Sequence, residues 1–197
     1  MGKIFLLMGK SSSGKDTIYR ELMRKKDIGL KKVVSYTTRP MREGETDGVQ
    51  YLFKNEEEYR KLKDDKKIIE ERTYHTKCGE WRYFTADDGQ IDLSDGDYLI
   101  IGTLESYCYI RDYFGKENVV PVYIDTNART RLERAMHRED KQENPRYDEM
   151  CRRFLADEED FSETKLSEAK IEKRFENNAE IDDCIKEITE YIAQKIR

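Results

Sequence analysis

Seven residues near the start of the chain, Gly9-Lys10-Ser11-Ser12-Ser13-Gly14-Lys15, have the spacing of a loop that wraps phosphate. The glycines let successive backbone N–H groups turn inward, and the closing lysine reaches the outer phosphates of a nucleotide. The run Ile4-Phe5-Leu6-Leu7-Met8 before it is continuously apolar, as a strand buried on both faces must be. After it, Ile18, Tyr19, Leu22 and Met23 fall at helical spacing within Lys15 to Lys26. Strand, loop and helix is the order this chemistry needs, because a helix N-terminus adds partial positive charge where phosphate lies. The candidate donor contacts are therefore Gly9, Ser11, Ser12, Ser13, Gly14, Lys15, Asp16 and Thr17. Asp16 stands where the strict Walker A pattern has Ser or Thr, with Thr17 next. An acid there is tolerable beside a polyphosphate if Mg2+ or its water shell lies between, or if the acid points away, and both readings stay open.

A second cationic group follows in Ser35-Tyr36-Thr37-Thr38-Arg39-Pro40-Met41-Arg42-Glu43-Gly44-Glu45, with Tyr51 beyond it. Two arginines three apart beside a tyrosine can clamp a dianionic phosphate, because guanidinium forks match phosphate oxygens. Further on, Arg131, Arg134, Arg138 and Arg153 lie on two helical patterns, Asn127 to Arg138 and Arg146 to Phe161. The polar stretch Asp140 to Pro145 between them reads as the tip of a hinged lid. Arginines delivered by such a lid neutralise a phosphoryl group in transfer and keep water out.

The phosphate loop together with Ser35, Arg39, Arg42, Glu45 and Tyr51 resembles the signature of guanylate kinases, and the order of elements is similar along nearly the whole chain. The resemblance implies an α/β fold with a three-layer P-loop NTPase-type parallel-sheet core, an inserted small β-rich nucleotide-binding lobe and a helical lid. It implies ATP-dependent phosphorylation of GMP or dGMP with Mg2+, the partners being nucleotides rather than nucleic acid or membrane. It places Ser35, Arg39, Arg42, Glu45, Tyr51 and Tyr83 on the acceptor nucleotide, and Glu70, in Ile69-Glu70, on the guanine edge with Thr85. A carboxylate suits that edge because it accepts from both N1–H and the 2-amino group, a donor pair that adenine lacks. It also puts Lys15, Arg39, Arg138 and Arg153 at the transfer itself, Arg134 with the donor nucleotide, and Asn177 near adenine.

The chain departs from that family at two places. Phe84 replaces a glycine between Tyr83 and Thr85, which is expected to reshape a pocket wall. The family's Asp-hydrophobe-Asp becomes Ile101-Gly102-Thr103, so that Thr103 offers a neutral contact to the base; losing a charged hydrogen bond costs about 1.5–3 kcal/mol. No residue is assigned to a protein-held metal. A kinase of the same fold with another phosphorylated acceptor, or a non-catalytic guanylate-kinase-like binding module, stays open beside the main reading.

The elements that must carry these residues follow from pattern. Val33 to Tyr36, Tyr51 to Phe53, Lys67 to Tyr74 and Trp81 to Thr85 read as strands, with a turn at Cys78-Gly79 and an Asn55-capped helix over Glu56 to Lys63. Asp97 to Ile101 and Val119 to Ile124 read as core strands separated by a helix over Leu104 to Phe114. Lys170 to Glu176 reads as a last strand, and Ile181, Ile185, Ile188 and Ile192 make a closing helix. One domain is expected, with its core at 1–34, 93–126 and 163–197, an acceptor lobe at 35–92 and a lid at 127–162. A chain of 197 residues with 40% charged and 37% hydrophobic residues has no room for a membrane core. Its net charge of -5 offers no general attraction to nucleic acid. Cys78, Cys108, Cys151 and Cys184 are scattered and only His75 and His137 could join them, so neither zinc nor a disulfide framework is expected. With no cleavable hydrophobic segment at the start, a reduced, cytoplasmic setting is the expectation.

Overall fold

The computed structural model describes residues 1–42, 44–76 and 79–196, and Thr76 by its backbone alone. Cys78 of the expected hairpin turn and Glu43 of the arginine segment lie outside the described residues. In chain order the elements are β1 (Ile4–Met8), α1 (Lys15–Arg24), β2 (Lys31–Lys32), β3 (Tyr36–Thr37), β4 (Leu52–Phe53), α2 (Glu56–Asp64), β5 (Ile68–Thr76), β6 (Gly79–Ala86) and β7 (Tyr98–Ile101). There follow α3 (Leu104–Phe114), β8 (Val119–Asp125), α4 (Ala128–Glu139), α5 (Tyr147–Asp160), α6 (Glu163–Glu168), β9 (Arg174–Glu176) and α7 (Ile181–Ile196).

The apolar strands assemble as one parallel sheet in the order β2-β7-β1-β8-β9. Side chains alternate along β1, so Ile4, Leu6 and Met8 face α3 and the 161–171 segment, while Phe5 and Leu7 face α1 and α7. Helices thus cover both faces and make three layers, as a parallel sheet with apolar strands requires. Because the strands run parallel, their C-terminal ends share one edge, and the segments that leave β1, β7, β8 and β9 meet there. Those segments carry Gly9 to Lys15, Thr103, Thr126 and Asn177, which is how residues far apart in sequence come to one cleft.

A second sheet, β4-β3-β6-β5, is mixed. Its far face packs Phe84 between Tyr36, stacked at 5.0 Å, and Tyr59 of α2, edge-on at 5.3 Å. That helix is held at its start by a reciprocal cap in which Asn55 Oδ1 accepts the Glu58 N–H at 2.8 Å and Glu58 Oε2 accepts the Asn55 N–H at 2.9 Å. Ile69 is an extra residue in β5: Ile68 pairs with Ala86, yet Glu70 pairs with Thr85. The bulge brings Glu70 and Arg72 opposite Thr85 and Tyr83, all on the face turned from the Phe84 core.

Four readings of the sequence are corrected. The 33–36 run is no single strand: Val33 is buried in the core of the parallel sheet and Tyr36 in that of the second, so the chain crosses between them. The first helix stops at Arg24 rather than Lys26, where the Lys25 N–H closes onto the Leu22 carbonyl. The last strand begins at Arg174 because Lys170 has φ 59°, which turns the chain. Finally, α6 is a helix the pattern did not show, being six residues long with only Leu166 buried.

Candidate functional site

The loop after β1 is shaped by backbone that side chains resist. Ser12 has φ 62° and Gly14 φ 93°, and a Cβ on Gly14 would meet Asn177 Nδ2 at 2.4 Å. Asn177, 1% exposed, donates from Nδ2 to the Ser13 carbonyl at 2.8 Å, and Thr126 Oγ1 donates to the same oxygen at 3.3 Å. Since the peptide is trans, holding that carbonyl aims the Gly14 N–H the other way, toward the inside of the loop. No side chain caps α1, and the hydroxyls of Ser12 and Ser13 are buried without partners. A site of unspent donors around a half-buried lysine is a site for an anion. Burial pushes the Lys15 ammonium below its ordinary pKa, against the pull of Asp16 and Asp157, and Arg153 and Arg138 push the same way as burial.

Hydrogen bonds place α5 against the loop. Asp157 Oδ2 accepts the Ser11 N–H at 2.7 Å, Glu158 Oε2 accepts from Lys10 Nζ at 2.7 Å, and Arg153 Nη2 donates to Ser11 Oγ at 3.3 Å. Arg131, 1% exposed, donates to Glu158 and to the Thr126 carbonyl and lies over the Phe154 ring. Burial raises the Glu158 carboxyl, but Lys10 and Arg131 more than offset it and hold the group below its usual value. A carboxylate of α5 thus sits on a backbone amide of the loop after β1. Arg138 is exposed and acts on Lys15 through charge, whereas Arg134 buries Nη1 without a partner and acts on Cys184 of α7. Asn177 Oδ1 is likewise buried and unpartnered. Asp16 is exposed at the head of α1, and Thr17 is half-buried beside it.

Across the cleft, Arg39 is 4% exposed and fixed from several directions. Its Nη1 donates to Glu45 Oε2 at 2.7 Å and to the Pro40 carbonyl at 2.9 Å, and its Nη2 to Glu45 Oε1 at 2.5 Å. The rings of Tyr51 and Phe53 lie 5.1 and 5.3 Å from the guanidinium carbon. Of five N–H groups, Nε–H and one on Nη2 remain for the Tyr83 hydroxyl and a ligand. The Arg39 fork and the Arg42 backbone N–H hold the Glu45 carboxyl down at about 2. The Arg42 guanidinium itself is exposed and reaches Glu45 only through charge, so the two arginines of the motif are not equivalent. Ser35 is half-buried, with its carbonyl accepting the Leu52 N–H at 2.9 Å. Burial raises the Tyr51 hydroxyl, Tyr83 adds to this, and the charges of Arg39, Arg72 and Asp16 reach it. One hydroxyl thus feels groups of both the second sheet and the phosphate-loop helix.

Behind this cluster Glu70, 4% exposed, accepts from Thr85 Oγ1 at 2.9 Å and from Ser106 Oγ at 3.1 Å, and Arg72 Nε lies 3.5 Å from its Oε2. Thr103 caps α3, its Oγ1 accepting the Ser106 N–H at 3.2 Å, and it lines a cavity of about 710 Å3 with Arg72, Tyr74, Glu105 and Cys108. Phe84 is fully buried in the aromatic core of the second sheet and so does not form a wall of this pocket. Strand alternation sends it to the face opposite Tyr83 and Thr85. Ser106 was missed by sequence reasoning, although Thr103-x-x-Ser106 is the spacing of a helix cap. Asp157 and Glu158 were missed as well, since nothing local marks an acid as facing the loop, and Arg131, named among the arginines of its helix, was given no contact with Glu158. Among the described residues no three acidic, histidine or cysteine side chains gather as a metal cage, and His75 and His137 are exposed.

The first 80 residues match the model of the guanylate kinase family. Guanylate kinase of Bacillus anthracis is 41% identical over 69 residues, which cover 35% of this chain and 34% of that protein. Guanylate kinase of Neisseria gonorrhoeae is 36% identical over 100 residues, 51% of this chain and 46% of that protein. The aligned part spans between a third and a half of such relatives. Over the whole chain the fold is that seen in the crystal structure of guanylate kinase from Anaplasma phagocytophilum, with a TM-score of 0.67 at 18% identity, covering 99% of this chain and 86% of that one.

Proposed function

We propose that this chain is a nucleoside monophosphate kinase that transfers the terminal phosphoryl group of ATP to GMP or dGMP, in the cytoplasm. The observation that carries the reading is a pair of anion cradles: the loop after β1, where the Ser12 and Ser13 hydroxyls are buried without partners near Lys15, and the Arg39 guanidinium, held by Glu45 with N–H groups left over. A donor phosphate held by the first and an acceptor phosphate held by the second would react by in-line transfer. Residues 35–92 act as the acceptor lobe and 127–162 as the lid on a core formed by the rest.

The Gly9 to Lys15 loop, with Ser11, Ser12, Ser13 and the Lys15 ammonium, holds the outer donor phosphates. Arg134 and Asn177, each with an unspent polar atom, face the adenine end. Arg39, positioned by Glu45, joins Tyr51 and Tyr83 on the acceptor phosphate, and Ser35 and Arg42 stand at its rim. Glu70, Thr85 and Thr103 meet the base. Arg138 and Arg153 neutralise the charge that spreads over the group in transfer, and the closed lid excludes water. Asp16 and Thr17 are the side chains this chain would offer to Mg2+ or its water shell, and the ion would add to the neutralisation of that charge. No covalent intermediate with the protein is required.

The test is a steady-state panel of GMP, dGMP, AMP, UMP, CMP and dTMP with ATP and Mg2+, on the wild type and Lys15→Ala. Transfer to GMP and dGMP above the rest, lost in Lys15→Ala, is the expected result. Preference for a non-guanine acceptor overturns the substrate, and absence of ATP binding overturns the kinase.

A further inference from the structure

The face of the second sheet turned from the Phe84 core carries two cross-strand pairs in succession. Glu70 of β5 stands opposite Thr85 of β6, and Arg72 stands opposite Tyr83. The first pair is joined by a hydrogen bond of 2.9 Å, whereas Tyr83 of the second meets the Tyr51 ring edge-on at 5.4 Å and bonds to Arg39. Arg72 therefore lies one step along the strand from the base acid, in the row of the phosphate cradle. Its Nε is 3.5 Å from Glu70 Oε2, and its charge reaches the Tyr51 hydroxyl. The side chain is 20% exposed with Nε buried, and among the described residues none of its N–H groups donates a hydrogen bond. A guanidinium has five donors, and burying it with all of them unspent loses hydration that one ion pair at 3.5 Å replaces only in part. Arg39 shows the contrast, since both of its terminal nitrogens are committed to Glu45.

We infer that Arg72 is a further binding residue of the acceptor nucleotide, a guanidinium that reaches from beside Glu70 to the acceptor phosphate and shares that group with Arg39, Tyr51 and Tyr83. This rests on the reading of the second sheet as the acceptor site. The planar fork matches phosphate oxygens, and the contact turns unspent buried donors into charge-assisted bonds. The ion pair with Glu70 defines the competing role, in which Arg72 only steadies that carboxylate toward the base. One role acts on the phosphate and the other on the base, so ligands with and without the phosphate separate them.

The experiment measures Kd by calorimetry for GMP and for guanosine, which lacks the phosphate, on the full chain and its Arg72→Met and Arg72→Lys variants. Methionine keeps an apolar stem without the charge, and lysine keeps a cation beside Glu70 without the fork. In Arg72→Met the Kd for GMP should rise about tenfold or more, the size of one charge-assisted bond, while that for guanosine moves less than about twofold. Arg72→Lys should fall between wild type and Arg72→Met for GMP, with guanosine again unmoved. Equal losses for GMP and guanosine in Arg72→Met, or an unchanged Kd for GMP, overturn the inference while leaving the kinase reading intact. A wild type that binds GMP no more tightly than guanosine overturns both.

Discussion

Replacing Gly14 by alanine asks one question of three parts of the site at once. The new Cβ would stand 2.4 Å from Asn177 Nδ2, and the residue would have to keep φ 93°. Holding an alanine in left-handed backbone costs about 1–2 kcal/mol. Displacing the amide forfeits the bond from Asn177 Nδ2 to the Ser13 carbonyl, worth about 1 kcal/mol. The sum of roughly 2–3 kcal/mol corresponds to a melting temperature lower by about 4–12 °C in a chain of this size. Because the Ser13 carbonyl loses its anchor, the Gly14 N–H also loses its aim, and ATP binding measured by calorimetry should weaken at least tenfold. In an Asn177→Ala background the clash is gone, with Ile181 Cδ1 next at a comfortable 3.7 Å. There the same substitution should cost only the backbone part, about 1–2 kcal/mol. An unchanged melting temperature, or costs that add without coupling to Asn177, would refute the loop geometry from which the donor site was argued.

Asp157→Asn removes a negative charge from the Ser11 amide that a phosphate needs, so the Kd for ATP should fall about three- to tenfold; a Kd that rises would show the contact does not compete. Phe84→Ala should cost about 3–5 kcal/mol in denaturant unfolding, because the ring is stacked on Tyr36 and met edge-on by Tyr59; an unchanged midpoint would remove it from the core. The Glu45 carboxyl, lowered from 4.5 to about 2 by Arg39, contributes stability that is complete above pH 4.5 and lost as the pH falls toward 2. The melting difference between wild type and Glu45→Gln should accordingly shrink across that interval, and a difference independent of pH would contradict the Arg39 grip.

Much of the architecture was legible because its signals are local. Five consecutive apolar residues leave β1 little choice but a buried parallel strand, and the Asn55 to Glu58 cap marks the start of α2 in the sequence itself. The loop between β1 and α1 is legible for the same reason, since its glycine and its lysine are neighbours. What escaped depends on pairing and closure. Phe84 was expected at a pocket wall, but its face is set by strand alternation in β6, and the neighbouring register by an extra residue at Ile69 that periodicity does not display. Val33 and Tyr36 look like one strand because adjacent apolar residues carry no label for the core they join. Arg39 and Arg42 look alike in the motif, yet only the Arg39 guanidinium is held by Glu45 and two rings. The lid acids at Asp157 and Glu158 acquire meaning only once α5 lies on the loop, and nothing within α5 says that it must.

Calorimetric titration with adenosine and guanosine joined by five phosphates tests most directly whether the two anion sites face each other. The account predicts one equivalent bound at least a hundredfold more tightly than ATP or GMP alone, with Lys15→Ala and Arg39→Ala each weakening it, because one molecule then fills both sites with its ordering already done. Binding no tighter than that of ATP, and insensitive to Arg39→Ala, would contradict it.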